Sequence, residues 1–375
     1  MRKTFFMFVG ALAVGLVMGP VLGGTAHALT GEGTAGASLT EEQKNEKRLL
    51  FSQYVEEELA RREKKKYEER AKQPETRDKF TLINKATALY GYDSNANLDS
   101  SRRGDVFHQD TVEGAFKIDR PEFKPFVWPG KIGITWSSEY LDYDSNNSLD
   151  SHITTVTGLT EERLSDKFSL KFNYDFSVVR YLNNDQSNYF GNKLKTTLAH
   201  NLTNVFSHSF FAAVDSKNFR DRKSSTVENL PSDDNRRDWG TEIGYGARLI
   251  PRPTTFIGVT TALKTNQSSD SYNDYNDYDS WKLNGYVYHQ FNEKFSAVGF
   301  SGYDHKAYDN RRFLKIAGDI RTEEDDFYYA GGYLYYDLTK HWQATVQYLY
   351  KENLSNDASQ EYTGYTLNTG LSLIF

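Results

Sequence analysis

Along residues 167–181 apolar and polar positions alternate without a break: Phe168, Leu170, Phe172, Tyr174, Phe176 and Val178 against Ser169, Lys171, Asn173, Asp175 and Ser177. A repeat of two is the side-chain period of an extended strand, so six large apolar groups fall on one face. Residues 341–353 repeat the design, with Trp342, Ala344, Val346, Tyr348 and Tyr350 against Gln343, Thr345, Gln347 and Lys351. Residues 237–250 do so again, with Trp239, Ile243, Tyr245, Ala247 and Leu249 opposite Glu242 and Arg248. The pattern predicts fourteen strands, at residues 80–93, 107–119, 131–143, 151–162, 167–181, 188–200, 207–219, 237–250, 254–266, 279–291, 294–307, 326–338, 341–353 and 361–375. Alternation is poor at residues 86–92 and 153–159, which leaves the count open to within two. No amphipathic helix within residues 80–375 offers a second layer against these faces, so lipid is the remaining cover. The predicted fold class is all-β: a closed antiparallel transmembrane β-barrel of about fourteen strands, an even number, as single-chain bacterial barrels have.

Connection lengths support this. Odd-to-even connections are mostly long and polar, at residues 94–106, 144–150, 182–187, 220–236, 267–278, 308–325 and 354–360. Even-to-odd connections are mostly tight, at 163–166, 201–206, 251–253, 292–293 and 339–340, with the Pro-rich 120–130 as the exception. Long extracellular loops against short periplasmic turns put both ends of the barrel in the periplasm.

Upstream of the barrel the pattern changes twice. Residues 1–28 read as a secretory signal peptide: basic Arg2-Lys3, an apolar run over 5–22, and Ala26-His27-Ala28 as the small-residue cleavage site. Residues 29–78 then join a Gly-rich tether (29–38) to a charged helix predicted over 40–73. Thr40 and Gln43 fit a capping box and Pro74 fits a stop. Phe51, Val55 and Leu59, flanked by Leu50 and Tyr54, form an apolar stripe about two turns long. The helix would be a solvated periplasmic rod, a short coiled coil through that stripe, or a plug folded into the barrel. A rod of about 45 to 50 Å does not fit crosswise in a pore.

Mean hydropathy of −0.69 looks soluble, yet aromatics reach 15 % of residues. A barrel reconciles the two, because only every second strand residue meets hydrocarbon. The formal charge of −6 comes from 45 basic and 51 acidic residues interspersed along the chain, which gives no basic field for nucleic acid. With no Cys, a lipoprotein anchor, disulfides and thiolate chemistry are excluded.

The strand registers turn Glu113, Lys117, Glu139, Lys171, Asp175, Lys193, Lys195, Asp215, Glu242, Arg248, Lys264 and Lys282 toward the lumen. The inward faces are expected to carry few apolar residues. Fourteen strands should leave an aqueous lumen, either a polar diffusion pore with weak charge selectivity or a water-filled scaffold. Other features point weakly to chemistry. Asp270, Asp274, Asp277 and Asp279 supply oxygen ligands but lack calcium-loop spacing. Asp304-His305 has no third partner, and Gly299-Phe300-Ser301-Gly302 lacks the spacing of a nucleophile elbow. No catalytic residue, metal or cofactor is assigned. Arg220, Arg222, Lys223, Arg236 and Arg237 flank a long loop, where contact with lipopolysaccharide or simple solvation would both fit.

The last stretch, residues 361–375, alternates up to an aromatic end, with Tyr365, Leu367, Leu371, Leu373 and Phe375 on one face. It resembles the carboxy-terminal strand of bacterial outer-membrane β-barrels, in which a terminal Phe after alternating apolar residues is the recognition signal for the barrel-insertion machinery. The resemblance implies that Tyr365, Leu371, Leu373 and Phe375 form that signal. Gly91-Tyr92-Asp93-Ser94-Asn95 at the exit of the first strand, echoed by Asp142-Tyr143-Asp144-Ser145-Asn146, resembles the opening of a family of porin-like outer-membrane barrels. Together these imply a Gram-negative outer-membrane location, lipid and lipopolysaccharide as surroundings, and a porin-like channel for small hydrophilic solutes. The rival expectation is a barrel for assembly or export of a surface polymer, with a periplasmic partner on the helix of 40–73.

Overall fold

The computed structural model describes residues 79–96, 104–119, 130–227, 230–269, 276–316 and 319–375. The signal peptide, the tether and the charged helix expected upstream of residue 79 lie outside the described residues. The strands are β1 (Lys79–Asp93), β2 (Asp105–Asp119), β3 (Lys131–Tyr143), β4 (Ser151–Arg163), β5 (Phe168–Tyr181), β6 (Tyr189–Asn201) and β7 (Phe206–Val227). They continue with β8 (Leu230–Arg252), β9 (Thr255–Ser268), β10 (Tyr278–Gln290), β11 (Phe295–Ile316), β12 (Asp319–Asp337), β13 (Trp342–Ser355) and β14 (Tyr362–Ile374). Each pairs antiparallel with its sequence neighbours, and β1 pairs with β14 to close the barrel. Closure leaves no free edge, so every spanning backbone group has a partner within the wall.

Two strands with weak alternation are nonetheless complete members of the ladder. Ile83 and Leu89 of β1, and Ile153 and Leu159 of β4, fall on the same side of the sheet as the polar residues of their neighbours, which blurs the period. Two segments expected as loops, 220–236 and 308–325, are instead largely ladder: β7 pairs with β8 up to Val227↔Leu230, and β11 with β12 up to Ile316↔Asp319. Register shifts follow Asn218 and Ala307. Lipid imposes a hydrophobic period only within its own thickness, so pairing beyond it continues without a period to announce it.

Four tight turns at one end of the barrel share one design. Ser165, Thr203, Asn292 and Thr339 each turn a side-chain oxygen back to accept the backbone N–H three residues on, at 3.1, 3.0, 2.9 and 3.0 Å. Each is preceded by an exposed apolar residue (Leu164, Leu202, Phe291, Leu338) and followed, at that third position, by an aromatic one (Phe168, Phe206, Phe295, Trp342). The hydroxyl or amide stands in for a missing ladder partner, and the aromatic ring starts the next strand at the interface.

At the opposite end the two Asp-Ser-Asn stretches tie strands together. Asp93 Oδ1 accepts from the Asn95 N–H at 3.1 Å, Asn95 Nδ2 donates to the Thr363 carbonyl at 3.2 Å, and Ser94 Oγ accepts from the Tyr365 N–H at 2.7 Å. These bonds hold β14 to the end of β1 at the seam. In the second copy the Ser145 and Asn146 N–H groups donate to Asp105 Oδ2 at 3.1 and 2.8 Å.

Outward positions form the belt that lipid requires. Val112, Ile134, Val156, Leu194, Val214, Ile243, Val259, Leu263, Val346 and Leu371 are exposed around the wall. Phe80, Phe168, Phe291, Trp342 and Phe375 ring the turn end, and Tyr92, Tyr140, Trp239, Trp281 and Tyr365 the loop end. A polar chain in water would not leave such a belt uncovered; in a bilayer it is the matching surface, edged by interfacial aromatics.

Candidate functional site

The inner wall is the face opposite that belt, and the pairing register places side chains on it unambiguously. Glu113 and Lys117 on β2, Glu139 on β3, Lys171 and Asp175 on β5, and Lys193 and Lys195 on β6 all lie on this face. So do Asp215 on β7, Glu242 and Arg248 on β8, Lys264 on β9 and Lys282 on β10. The ladder brings most of them together on one arc. Asp175 stands opposite Lys193, and Lys193 opposite Asp215. Lys193 Nζ lies 3.1 Å from Glu242, Lys264 Nζ 3.2 Å from Asp215, and Lys282 Nζ 3.2 Å from Asp304. Glu161 of β4 takes Lys131 at 3.5 Å and Lys171 at 3.9 Å.

Lys282–Asp304, Lys131–Glu161 and Lys171–Glu161 join adjacent strands, whereas Lys193–Glu242 and Lys264–Asp215 reach across an intervening one, which in the second case is locally bare. Asp215 leans over Gly240 of β8 toward Lys264 of β9, and a Cβ on Gly240 would sit 2.2 Å from the Asp215 carboxylate. The outcome is a belt of alternating charge from β4 to β11. Glu113 and Glu139 stand apart from it on β2 and β3, with Glu113 opposite Lys85 of β1. Lys195 and Arg248 lie over aromatic rings, at 4.1 Å from the Phe211 ring centre and 4.7 Å from that of Phe256.

The expectation of few apolar inward residues is wrong for the other arc. Tyr335, Tyr333, Phe300, Tyr329, Phe327 and Tyr362 form a continuous file of rings on β11, β12 and β14, with successive centroids 5.9, 5.4, 6.4, 5.7 and 6.4 Å apart. From Tyr335 to Phe327 the file climbs eight residues of β12, about 27 Å of strand. Glycines directly opposite in the register receive the rings: Gly302 under Tyr329, Gly331 under Phe300, Gly258 under Tyr286 and Gly244 under Phe211. A Cβ on Gly302 or Gly258 would stand 2.1 Å from the ring, so the ring lies flat on the wall only because the glycine is there. The signal was present in Phe327-Tyr328-Tyr329 and Tyr333-Leu334-Tyr335-Tyr336, where aromatic runs load both faces at once. A period-two reading that looks for one apolar face passes over it.

Other candidate chemistry is dispersed. Asp304 points inward to Lys282, while its neighbour His305 points outward and meets Asp326 at 2.9 Å, so the pair is split across the wall. Arg236 is buried against its own strand, with Nε and an Nη on the Asp238 carboxylate at 2.8 and 2.6 Å, which removes it from a loop-end anion surface. Asp277 Oδ1 accepts the Ser268 N–H at 2.7 Å, and no three acidic or histidine side chains converge as a metal site among the described residues. Asp270 and Asp274 lie outside them. Tyr365, Leu371, Leu373 and Phe375 all face outward, and the backbone of Phe375 exchanges two hydrogen bonds with Asn84 of β1, at 2.9 and 3.0 Å.

No protein-family model and no curated protein sequence matches the chain. Among solved structures it is similar to outer-membrane-expressed OmpT of Vibrio cholerae, at 8 % identity over 81 % of this chain and 99 % of that one, with a TM-score of 0.40. It is also similar to an anion-selective porin from Comamonas acidovorans, at 9 % identity over 80 % and 100 % of the two chains and a TM-score of 0.38. An outer membrane channel from Pseudomonas putida F1 matches at 11 % identity over 81 % and 99 %, with a TM-score of 0.38. The closed fourteen-stranded wall, its apolar outer belt edged by aromatics and its charged inner face make this chain a transmembrane β-barrel of the outer-membrane type.

Proposed function

We propose that the protein is a porin-like channel that lets small hydrophilic solutes diffuse across the outer membrane of a Gram-negative bacterium. The observation that carries this reading is the belt of alternating charge on the β4 to β11 arc. Its members pair with one another along the wall, Lys193 with Glu242, Lys264 with Asp215 and Lys282 with Asp304, and the Lys171 side chain at the edge of the belt keeps 42 % of its exposure. Cations and anions set side by side replace part of a solute's hydration and favour neither sign strongly. Asp304 turns inward to Lys282 while His305 turns outward to Asp326, so the neighbouring pair noted in the sequence does not act as one unit.

Single-channel conductance of the purified chain in a planar bilayer tests it, at two salt concentrations. A steady ohmic conductance with weak ion preference is expected. Lys264→Gln, which leaves Asp215 without its 3.2 Å partner, should shift that preference toward cations. A silent bilayer at both salt concentrations would refute the channel.

A further inference from the structure

The outer face carries its own charges at the loop end, and they divide by arc. On β2, β3, β12 and β13 the charged outward residues there include Asp110, Asp142, Asp326 and Glu352. On β5, β7 and β8 they are Arg180, Arg220 and Arg237, all exposed. Arg180 stands two residues beyond Val178, where the apolar alternation of β5 ends, and Arg237 two residues before Trp239 of the aromatic girdle. Arg220 lies over the Phe190 ring, 5.7 Å from its centre, and Phe190 stacks on the outward Phe176 at 6.3 Å. The guanidinium is thereby footed on the loop-end edge of the apolar belt, at the level where hydrocarbon gives way to headgroups.

The ladder sets the three close together. The Arg220 N–H donates to the Asn188 carbonyl at 3.0 Å and the Tyr181 N–H to Asn188 Oδ1 at 2.6 Å, so Asn188 sits between Arg180 and Arg220, which are two strands or about 10 Å apart. Arg237 pairs with Asn218, on the diagonal from Arg220 and about 7 to 8 Å from it. None of the three has a carboxylate within ion-pair distance among the described residues. The inward basic groups nearby contrast with them: Arg236 is held by Asp238, Lys193 by Glu242 and Lys264 by Asp215. Arginines kept at headgroup level without an internal anion are matched by an anion of the membrane itself.

We propose that the outer faces of β5 to β8 hold the phosphorylated head of a lipopolysaccharide molecule, with Arg180, Arg220 and Arg237 as the groups that bind its phosphates. Each guanidinium presents a planar fork of donors that matches two phosphate oxygens. Acyl chains then lie on Phe176, Phe190 and Trp239, the last of them 61 % exposed. Beyond Arg220 the ladder of β7 with β8 continues seven residues to Val227, about 23 Å of strand, and reads Arg222-Lys223-Ser224-Ser225-Thr226. A lipid with a large sugar head extends along such an arm, whereas a phospholipid ends below it. The acidic outward arc repels the same phosphates, which confines the site to one side of the barrel. Nothing in this assignment depends on what passes through the lumen.

The full-length protein, refolded in a nonionic detergent, is titrated with lipopolysaccharide at physiological salt, and bound copies are counted by native mass spectrometry. Arg180→Gln, Arg220→Gln and Arg237→Gln together should weaken binding about tenfold or more, and the parent should bind enzymatically dephosphorylated lipopolysaccharide equally poorly. The matching lysine set keeps the charge without the fork and should fall between the two. Asp110→Asn with Asp326→Asn, on the acidic arc, should not reduce affinity. The single glutamine variants carry the same comparison if the triple fails to assemble, as judged by circular dichroism. Unchanged affinity in the glutamine set would overturn the proposal. Equal competition by phosphatidylglycerol or inorganic phosphate would overturn it as well, by making the patch a general anion surface.

Discussion

A buried ion pair clips the seam between β1 and β14, and its removal should be felt by the whole barrel. Lys351 of β13 reaches past Gly364 of β14 to Asp93 of β1, Nζ to Oδ2 2.8 Å, with the two side chains 2 and 0 % exposed. Gly364 makes the reach possible: a Cβ there would lie 3.3 Å from Lys351 Cε and 2.9 Å from Asn95 Cβ. At this separation the Coulomb attraction is about 6 kcal/mol for an effective dielectric constant of about 20, and desolvation of both ions offsets much of it. Deleting one partner is different, because the other charge stays buried. Asp93→Asn and Lys351→Met should each cost about 3 to 5 kcal/mol, while the paired change Asp93→Leu with Lys351→Met should lie within about 2 kcal/mol of the parent. Urea unfolding of the refolded protein in lipid vesicles, followed by tryptophan fluorescence, measures all four. Single substitutions costing under about 1 kcal/mol, or a double variant as unstable as the sum of the singles, would refute the clip and make the pair a wet, incidental contact.

Three further outcomes follow from the wall. Gly302→Ala and Gly258→Ala must displace the Tyr329 and Tyr286 rings and should each destabilise by about 1 to 3 kcal/mol, whereas Gly299→Ala, with nothing within 4 Å, should be nearly silent; equal effects would remove the ring-on-glycine argument. In the hairpin beyond the belt, burial and then the nearby Asp325 and Asp357 carboxylates raise Glu323 to about 7, against the pull of Arg311 at 2.9 Å. A raised carboxyl favours the folded hairpin fully below its ordinary value of 4.5 and loses that contribution as pH climbs through about 7. Protease cleavage within 308–325 should accordingly be faster at pH 8 than at pH 6, and Glu323→Gln should abolish the difference. Phe375→Ala keeps the backbone bonds to Asn84 and should slow assembly in cells while leaving the melting of the refolded barrel near that of the parent. A matching loss in refolded stability would instead assign Phe375 to barrel closure.

Much of the architecture was legible because lipid imposes a strict rule on every second residue. Phe168 to Val178 and Trp342 to Tyr350 alternate so regularly that strand number, direction and facing follow from one dimension of information. The same rule orients Lys171, Asp175, Glu242 and Lys264, since a one-residue slip would carry each of them into hydrocarbon. Where the rule lapses, legibility lapses with it. The outer ends of β7, β8, β11 and β12, paired up to Val227 and Ile316, carry no regular alternation of apolar and polar residues in sequence.

Only the closed structure decided which inward residues meet. Lys264 and Asp215 are two strands apart and joined across Gly240; Lys351 and Asp93 are distant in sequence and joined across the seam. The six rings from Tyr335 to Tyr362 come from three strands. Alternation states the face on which a side chain lies, and that is a property of each strand alone. Which neighbour it touches depends on strand order, stagger and curvature, and these exist only once the first strand has bonded to the last.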